Sequence, residues 1–252
     1  MDVTELQQKI IELENTNDEK NNILSISAHE LRTSLTSLKW IIRMLLDGDV
    51  GHISQEQKHL LSKGYENTER MITVVGEMLM LGHTENILGK KEEKGPVDVI
   101  QLIEDVIFDF TGESYKKGIE LIFLKPDIET GNAYINRDKT RVVLQNLIEN
   151  AIKYSVSSDR VFISVSENGE FIRITVKDTG IGITEKDQSQ IFEKFFRAEN
   201  AKKHEAMGTG LGLYTSKIIA ENEGGKLSFV SKEKKGSDPE SGTTFYLDLP
   251  TH

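Results

Sequence analysis

His29 lies in the run SISAHELRTSLT, residues 25–36, with Glu30 directly after it. A neutral imidazole keeps a nitrogen lone pair near pH 7. A neighbouring carboxylate can hold the other ring nitrogen and favour the charge that develops as the first attacks phosphorus. Taken alone, such a pair on a helix is more often just solvated. A zinc reading of this start needs a second His four residues on, and that position is Thr33.

Three stretches in the C-terminal half carry a second kind of chemistry. In QNLIENAIKYS, residues 145–155, Asn146 and Asn150 are four apart, and Lys153 and Tyr154 continue that helical face. An amide oxygen can ligate Mg²⁺ and a lysine can reach a phosphate. In DTGIGI, residues 178–183, Gly180 and Gly182 permit a tight turn and the approach of a flat ring. Asp178 offers an acceptor for an exocyclic amine such as that of adenine. In GTGLGL, residues 208–213, the backbone N–H groups of a glycine loop opening a helix suit phosphate oxygens. This loop is neither the dinucleotide fingerprint nor the P-loop, because position 213 is Leu213 and no GK[ST] ending follows. Between the last two lies FEKFFR, residues 192–197. Phe192 and Phe196 can anchor a flap there, and Arg197 can reach a terminal phosphate. Each stretch also has a plainer reading: an amphipathic helix, a glycine turn after a strand, or a short helix with a core-facing aromatic pair.

The elements that must position these residues fall into two textures. Leu6, Ile10, Leu13, Asn17, Lys20, Leu24, Ser27, Leu31, Ser34, Leu38, Ile41 and Leu45 alternate steps of four and three, which predicts one long helix with a heptad seam. In that register His29 faces outward. DGDVGHIS, residues 47–54, breaks the pattern, and Ser54 with Gln57 reads as a capping box opening a second helix. Leu61, Tyr65, Thr68, Ile72, Val75 and Leu79 follow at helical spacing. Two such hairpins make a four-helix bundle, so a dimer is expected. GHTENILGKKEEKGP, residues 82–96, reads as a linker candidate. Beyond it, strand-like runs at 119–124, 160–166 and 171–177 alternate with helical stretches. Asn168-Gly169 suits a tight hairpin turn between the last two.

Bulk composition narrows the classes. A net charge of −10 over 252 residues disfavours nucleic acid as a partner. The absence of cysteine excludes disulfides and fits a reducing cytoplasm. No apolar run approaches the roughly 20 residues that span a bilayer, although a piece of a membrane-anchored protein would look the same. The remaining histidines (His52, His59, His83, His204 and His252) show no ligand spacing for a metal.

The ordered set HELRTSLT, NLIENAIKYS, DTGIGI, FEKFFR and GTGLGL resembles the sensor histidine kinases of two-component signalling, over residues 20 to 250 or so. The resemblance implies an α+β chain. A helical hairpin would form a dimeric four-helix bundle, followed by an α/β sandwich ATP-binding domain of the type shared with gyrase and chaperone ATPases. The expected boundaries are a coiled-coil signal helix over 1–20, a dimerisation and phosphotransfer domain over 21–88, a linker over 89–95 and the catalytic domain over 96–252.

The family also assigns roles. His29 would accept the phosphoryl group from ATP, with Glu30 its acid–base helper. Asn150 would hold Mg²⁺ beside Asn146, and Lys153 and Tyr154 would contact the nucleotide. Asp178 would recognise the adenine amine, with Gly180 and Gly182 shaping that wall. Arg197 would assist transfer. Gly208, Thr209, Gly210, Leu211 and Gly212 would form the lid. The phosphoryl group would pass on to an aspartate of a response regulator receiver domain. Thr33 would orient a water for phosphatase activity toward that regulator. Hydrolysing relatives carry a Glu where this chain has Asn146, so a simple ATPase is disfavoured. One departure from the family pattern is Ser34 in place of the usual proline, which leaves the helix without a bend at that point.

Overall fold

The computed structural model describes residues 26–28, 30–89, 94–126, 132–156, 158–205, 208–234, 236 and 241–252. The chain divides into two compact units, Met1–Lys90 and Lys91–His252.

The first unit is a helical hairpin. Helix α1 covers residues 30–47 and runs unbroken through Ser34. Helix α2 is Gln55–Gly89. The capping box forms as the sequence predicts. The Ser54 N–H donates to Gln57 Oε1 at 2.8 Å, and the Gln57 N–H donates to Ser54 Oγ at 3.2 Å. The helices pack through small and apolar residues. A Cβ built on Gly64 would lie 3.7 Å from Ile42 Cδ1, and Thr68 and Val75 are buried. Lys39 pairs with Glu69 at 2.7 Å. Seam residues Leu31, Leu38 and Ile41 remain exposed in the single chain.

The linker candidate read over residues 82–96 begins inside a helix, because α2 continues to Gly89. Gly82 costs a helix about 1 kcal/mol against alanine, but only proline stops one outright. The first proline in the chain is Pro96.

The second unit is a two-layer α/β sandwich. Strand β1 (Gly95–Val97) pairs antiparallel with β3 (Ala133–Ile135). A five-stranded sheet has the order β2-β4-β5-β7-β6, from β2 (Glu120–Leu124), β4 (Arg160–Asn168), β5 (Phe171–Asp178), β6 (Lys226–Lys232) and β7 (Gly242–Pro250). β2 and β4 run parallel, and the other neighbours are antiparallel. Gly169, at φ 66°, turns the β4–β5 hairpin where Asn168-Gly169 predicted it.

Helices α3 (Val99–Lys117), α4 (Arg137–Lys153) and α6 (Gly212–Asn222) cover one face of the sheet. Alternate strand residues such as Ile163, Ile174 and Leu247 meet Leu102, Leu144, Ile148 and Ile152 from the helices in a single core. Leu144, Ile148 and Ile152 lie four apart, so one stripe of α4 is buried. Its other stripe is left to carry Asn146, Asn150 and Lys153. The N-cap of α4 is Asn136, whose Oδ1 accepts from the Lys139 N–H at 3.0 Å. The chain entering α4 is fixed by a buried carboxylate, Glu223 Oε2, accepting from the Asn136 N–H at 2.7 Å.

Replacing Asn136 with alanine removes one N-cap bond. We expect a loss of about 1 kcal/mol in unfolding free energy by urea denaturation. An unchanged midpoint would show that the cap bond does not hold the start of α4.

Candidate nucleotide and phosphotransfer site

The C-terminal turn of α4 joins two surfaces. Tyr154 caps the helix, its N–H donating to Asn150 O at 3.0 Å. Its own carbonyl accepts from the Ile181 N–H at 3.0 Å. A Cβ on Gly180 would lie 2.3 Å from that same carbonyl oxygen, so the turn after β5 docks here only without a side chain. Gly182, at φ +63°, meets a second backbone: its Cβ would lie 2.0 Å from Lys232 O.

Asp178 ends β5 and is 5% exposed. Its Oδ1 accepts from the Gly180 N–H at 2.9 Å and from the Thr243 N–H at 3.1 Å. Both bonds fall on Oδ1, so Oδ2 is the oxygen left to accept from a ligand. Burial raises the pKa of Asp178 from 3.8 to about 6, against the lowering effect of those two N–H groups. The motif reading missed what stands behind this carboxylate. Thr243 Oγ1 shares a 2.8 Å hydrogen bond with Ser231 Oγ, and Ser231 Oγ accepts from the Ile183 N–H at 2.9 Å. Gly242, whose Cβ would lie 2.2 Å from Asp178 O, was the available signal.

On the other side of Tyr154 lies the glycine loop. A Cβ on Gly208 would lie 3.3 Å from Lys153 Nζ and 3.5 Å from Arg197 Cζ, so two cationic groups converge on that glycine. Gly208 and Gly210 both have positive φ. Thr209 Oγ1 accepts from the Leu211 N–H at 3.3 Å. The Leu211 side chain is buried at 2% exposure. It therefore anchors the loop, and only its backbone can face a ligand. Gly212 opens α6, where its carbonyl accepts from Asn146 Nδ2 at 3.4 Å. Asn146 Nδ2 also reaches Ser216 Oγ at 3.2 Å, so this amide fastens α4 to α6. Asn150 is half-buried one turn further along α4, and Glu149 is exposed.

FEKFFR forms turns rather than a helix. Phe192 and Phe196 pack on the core as expected. Phe195, which the sequence did not single out, takes φ +64° and donates its N–H to Gly210 O at 3.1 Å. Arg197 donates to the carbonyls of Gly208, Ala201 and Glu205. Helix α5 (Glu199–His204) brings the His204 ring 6.5 Å from that of Tyr154. Burial also raises the Tyr154 pKa, with the nearby Arg197 acting in the opposite direction.

In the helical unit, Glu30 and Thr33 are exposed on α1, and Thr33 O accepts from Ser37 Oγ at 3.0 Å. His29 lies outside the described residues.

Comparisons with known proteins agree with this arrangement. Residues 135–252 match the model of the histidine kinase-, DNA gyrase B- and HSP90-like ATPases. Residues 19–87 match the His Kinase A phospho-acceptor domain. The sensor histidine kinase WalK of Bacillus subtilis is 32% identical over 245 residues, covering 96% of this chain. The chain belongs to the sensor histidine kinases. It spans 38% of the length of that Bacillus relative. A WalK sensor kinase of Staphylococcus aureus is 32% identical over 99% of this chain and 56% of its own length. Among solved structures, the catalytic domain of the histidine kinase ThkA has a TM-score of 0.54 at 27% identity, covering 64% of this chain and 99% of its own. Full-length ShkA in complex with AMPPNP shares the fold, with a TM-score of 0.61 at 23% identity over 91% of this chain and 45% of its own. Among the described residues of this histidine kinase core, no helix is long and apolar enough to cross a membrane.

The protonation of Asp178 sets a pH dependence with two signs. Without ligand, the raised pKa means that folding favours the protonated form, so this group's contribution to stability grows as pH falls from about 6 toward 3.8. Binding of a ligand through Asp178 is expected to run the other way. Oδ1 is already taken by two N–H groups, so the proton goes to Oδ2 and blocks it as an acceptor. We expect affinity for an ATP analogue to fall as pH drops through 6, and Asp178→Asn to weaken binding about tenfold or more at pH 7.5. Equilibrium binding by calorimetry checks both, and pH-independent affinity would contradict the first. Gly182→Ala is expected to destabilise the unit by about 2 kcal/mol or more, read by chemical denaturation.

Proposed function

We propose that this chain transfers the terminal phosphoryl group of ATP to His29, and that a receiver-domain aspartate of a response regulator then takes it. The observation that carries the reading is the shared anchor at the end of α4. There the Asp178 wall bonds to the Tyr154 carbonyl, and the adjacent Lys153 meets Arg197 at Gly208. A base at one end and phosphates at the other would span the same helix terminus.

Phosphoryl transfer depends on positioning and on neutralising charge more than on covalent chemistry. Asp178 Oδ2 would accept from the adenine amine. Lys153, Arg197 and the backbone N–H groups from Gly208 to Gly212 would face the phosphates. Mg²⁺, when bound, offsets phosphate charge. It typically takes one or two protein oxygens plus phosphates and waters. The Asn150 amide oxygen suits that, and among the described residues no carboxylate cluster offers a cage of its own. Arg197 would have to exchange at least part of its carbonyl bonding for phosphate oxygens. His29 would attack in line, with Glu30 stabilising the imidazolium that forms.

Asn146 supports kinase over ATPase chemistry. The side chain at that position fastens α6 rather than presenting a base to water. Exposed Leu31, Leu38 and Ile41 support a homodimer that covers the hairpin seam. Thr33, exposed and one turn from position 29, supports phosphatase activity toward the regulator. A cytoplasmic placement, with a membrane anchor elsewhere in a longer protein, fits the same reading.

Incubation with γ-labelled ATP and Mg²⁺ tests it. We expect acid-labile label on the protein, lost in His29→Gln and in Asn150→Ala while the fold persists by circular dichroism. Label that survives His29→Gln would sink the assignment. Thr33→Ala is expected to keep autophosphorylation and slow regulator dephosphorylation about tenfold or more, measured as decay of the phosphorylated receiver domain.

A further inference from the structure

We propose that Lys234 is a positioning residue for base recognition: by neutralising Asp159 and strapping the exit of β6 to the turn 178–183, it keeps the Asp178 carboxylate in its accepting form near neutral pH. The proposal rests on the nucleotide-binding reading above.

The strap is built from three contacts. The Lys234 N–H donates to Ile181 O at 2.9 Å. Its Nζ donates to Thr179 O at 3.4 Å and stands 3.5 Å from Asp159 Oδ1. Asp159 is held on its other oxygen, where Oδ2 accepts from the Val156 N–H at 2.7 Å. Its side chain is 13% exposed and that of Lys234 29%, so solvent screens the pair incompletely. The next residue, Arg160, ties directly to the turn, its N–H donating to Thr179 Oγ1 at 3.2 Å. Asp159 is thus a second carboxylate fixed behind the turn that begins at Asp178.

The charge of Asp159 opposes ionisation of Asp178, in the same direction as the larger effect of burial. The Lys234 ammonium is the cation placed to cancel it. Among the described residues, the other charges next along the chain to Asp178, Asp159 and Lys234 are Lys177, Lys232, Glu233 and Arg160, which pairs with Glu120 at 3.3 Å. Glu167, Arg173, Lys226 and Asp248 lie further along the same strands, with Arg173 and Asp248 paired to each other. None of the motifs that mark the site includes Asp159 or Lys234. A lysine in the charged run KEKK, residues 232–235, reads from sequence as solvated surface.

The test is the pH profile of binding of a fluorescent, non-hydrolysable ATP analogue with Mg²⁺ to the 252-residue chain. Protonation of the ligand is common to all variants, so a difference in midpoint reports the protein. Lys234→Met is expected to move the pH of half-maximal affinity upward by roughly half a unit. Lys234→Arg should leave it in place, and Asp159→Asn combined with Lys234→Met should bring it back to the starting value or below. A Lys234→Met midpoint equal to that of the unaltered chain, or a double variant that fails to restore it, overturns the proposal. Should Lys234→Met not fold, Asp159→Asn alone carries the test: its midpoint must fall, and an unchanged one overturns the idea. Absence of analogue binding to the unaltered chain at every pH would instead remove the nucleotide reading, and this proposal with it.

Discussion

The contact between the Tyr154 carbonyl and the turn after β5 governs the catalytic unit. A helix end leaves carbonyls without partners, and a buried one must find a donor. Here the donor is the Ile181 N–H, and the approach is so close that residue 180 can carry no side chain. That one docking fixes where Asp178 stands relative to Lys153. Because Tyr154 directly follows Lys153, the spacing between the proposed acceptor for a base and the proposed cation for a phosphate is set at the backbone. Flexible side chains do not set it.

The surroundings reinforce that geometry with rigid parts. Asn146 and Glu223 fasten α6 to the middle and the start of α4. The loop that opens α6 is pressed on Phe195 and Phe196 through Gly210. The strained φ of Phe195 costs of order 1 kcal/mol or more, and it persists because its N–H is paired with Gly210 O. Arg197, bonded to three carbonyls of the same region, links α5 to the loop.

Much of this was legible in the sequence, for physical reasons. The Ser54–Gln57 box and the Asn168-Gly169 turn are local, each complete within a few residues. The glycines at 180 and 182 announced a tight turn and a close approach without any knowledge of their neighbours. The rest depended on partners far along the chain. Asp178 signalled an acceptor, but Thr243 and Ser231 behind it come from strands more than 50 residues on. Leu211 belonged to a binding motif, yet its side chain serves the core. Asn146 shared a helical face with Asn150, and the motif could not say that its amide is engaged with α6. The extent of α2 was misjudged because Gly82 weakens a helix without ending it.

The proposed chemistry turns on where the phosphorus goes. The most direct measurement is ³¹P NMR of the chain incubated with ATP and Mg²⁺, with the modified residue located by mass spectrometry under neutral conditions. The mechanism requires a phosphoramidate resonance that grows as ADP forms and maps to His29. ADP and free phosphate accumulating with no phosphoramidate, or phosphorylation at another residue, would contradict it.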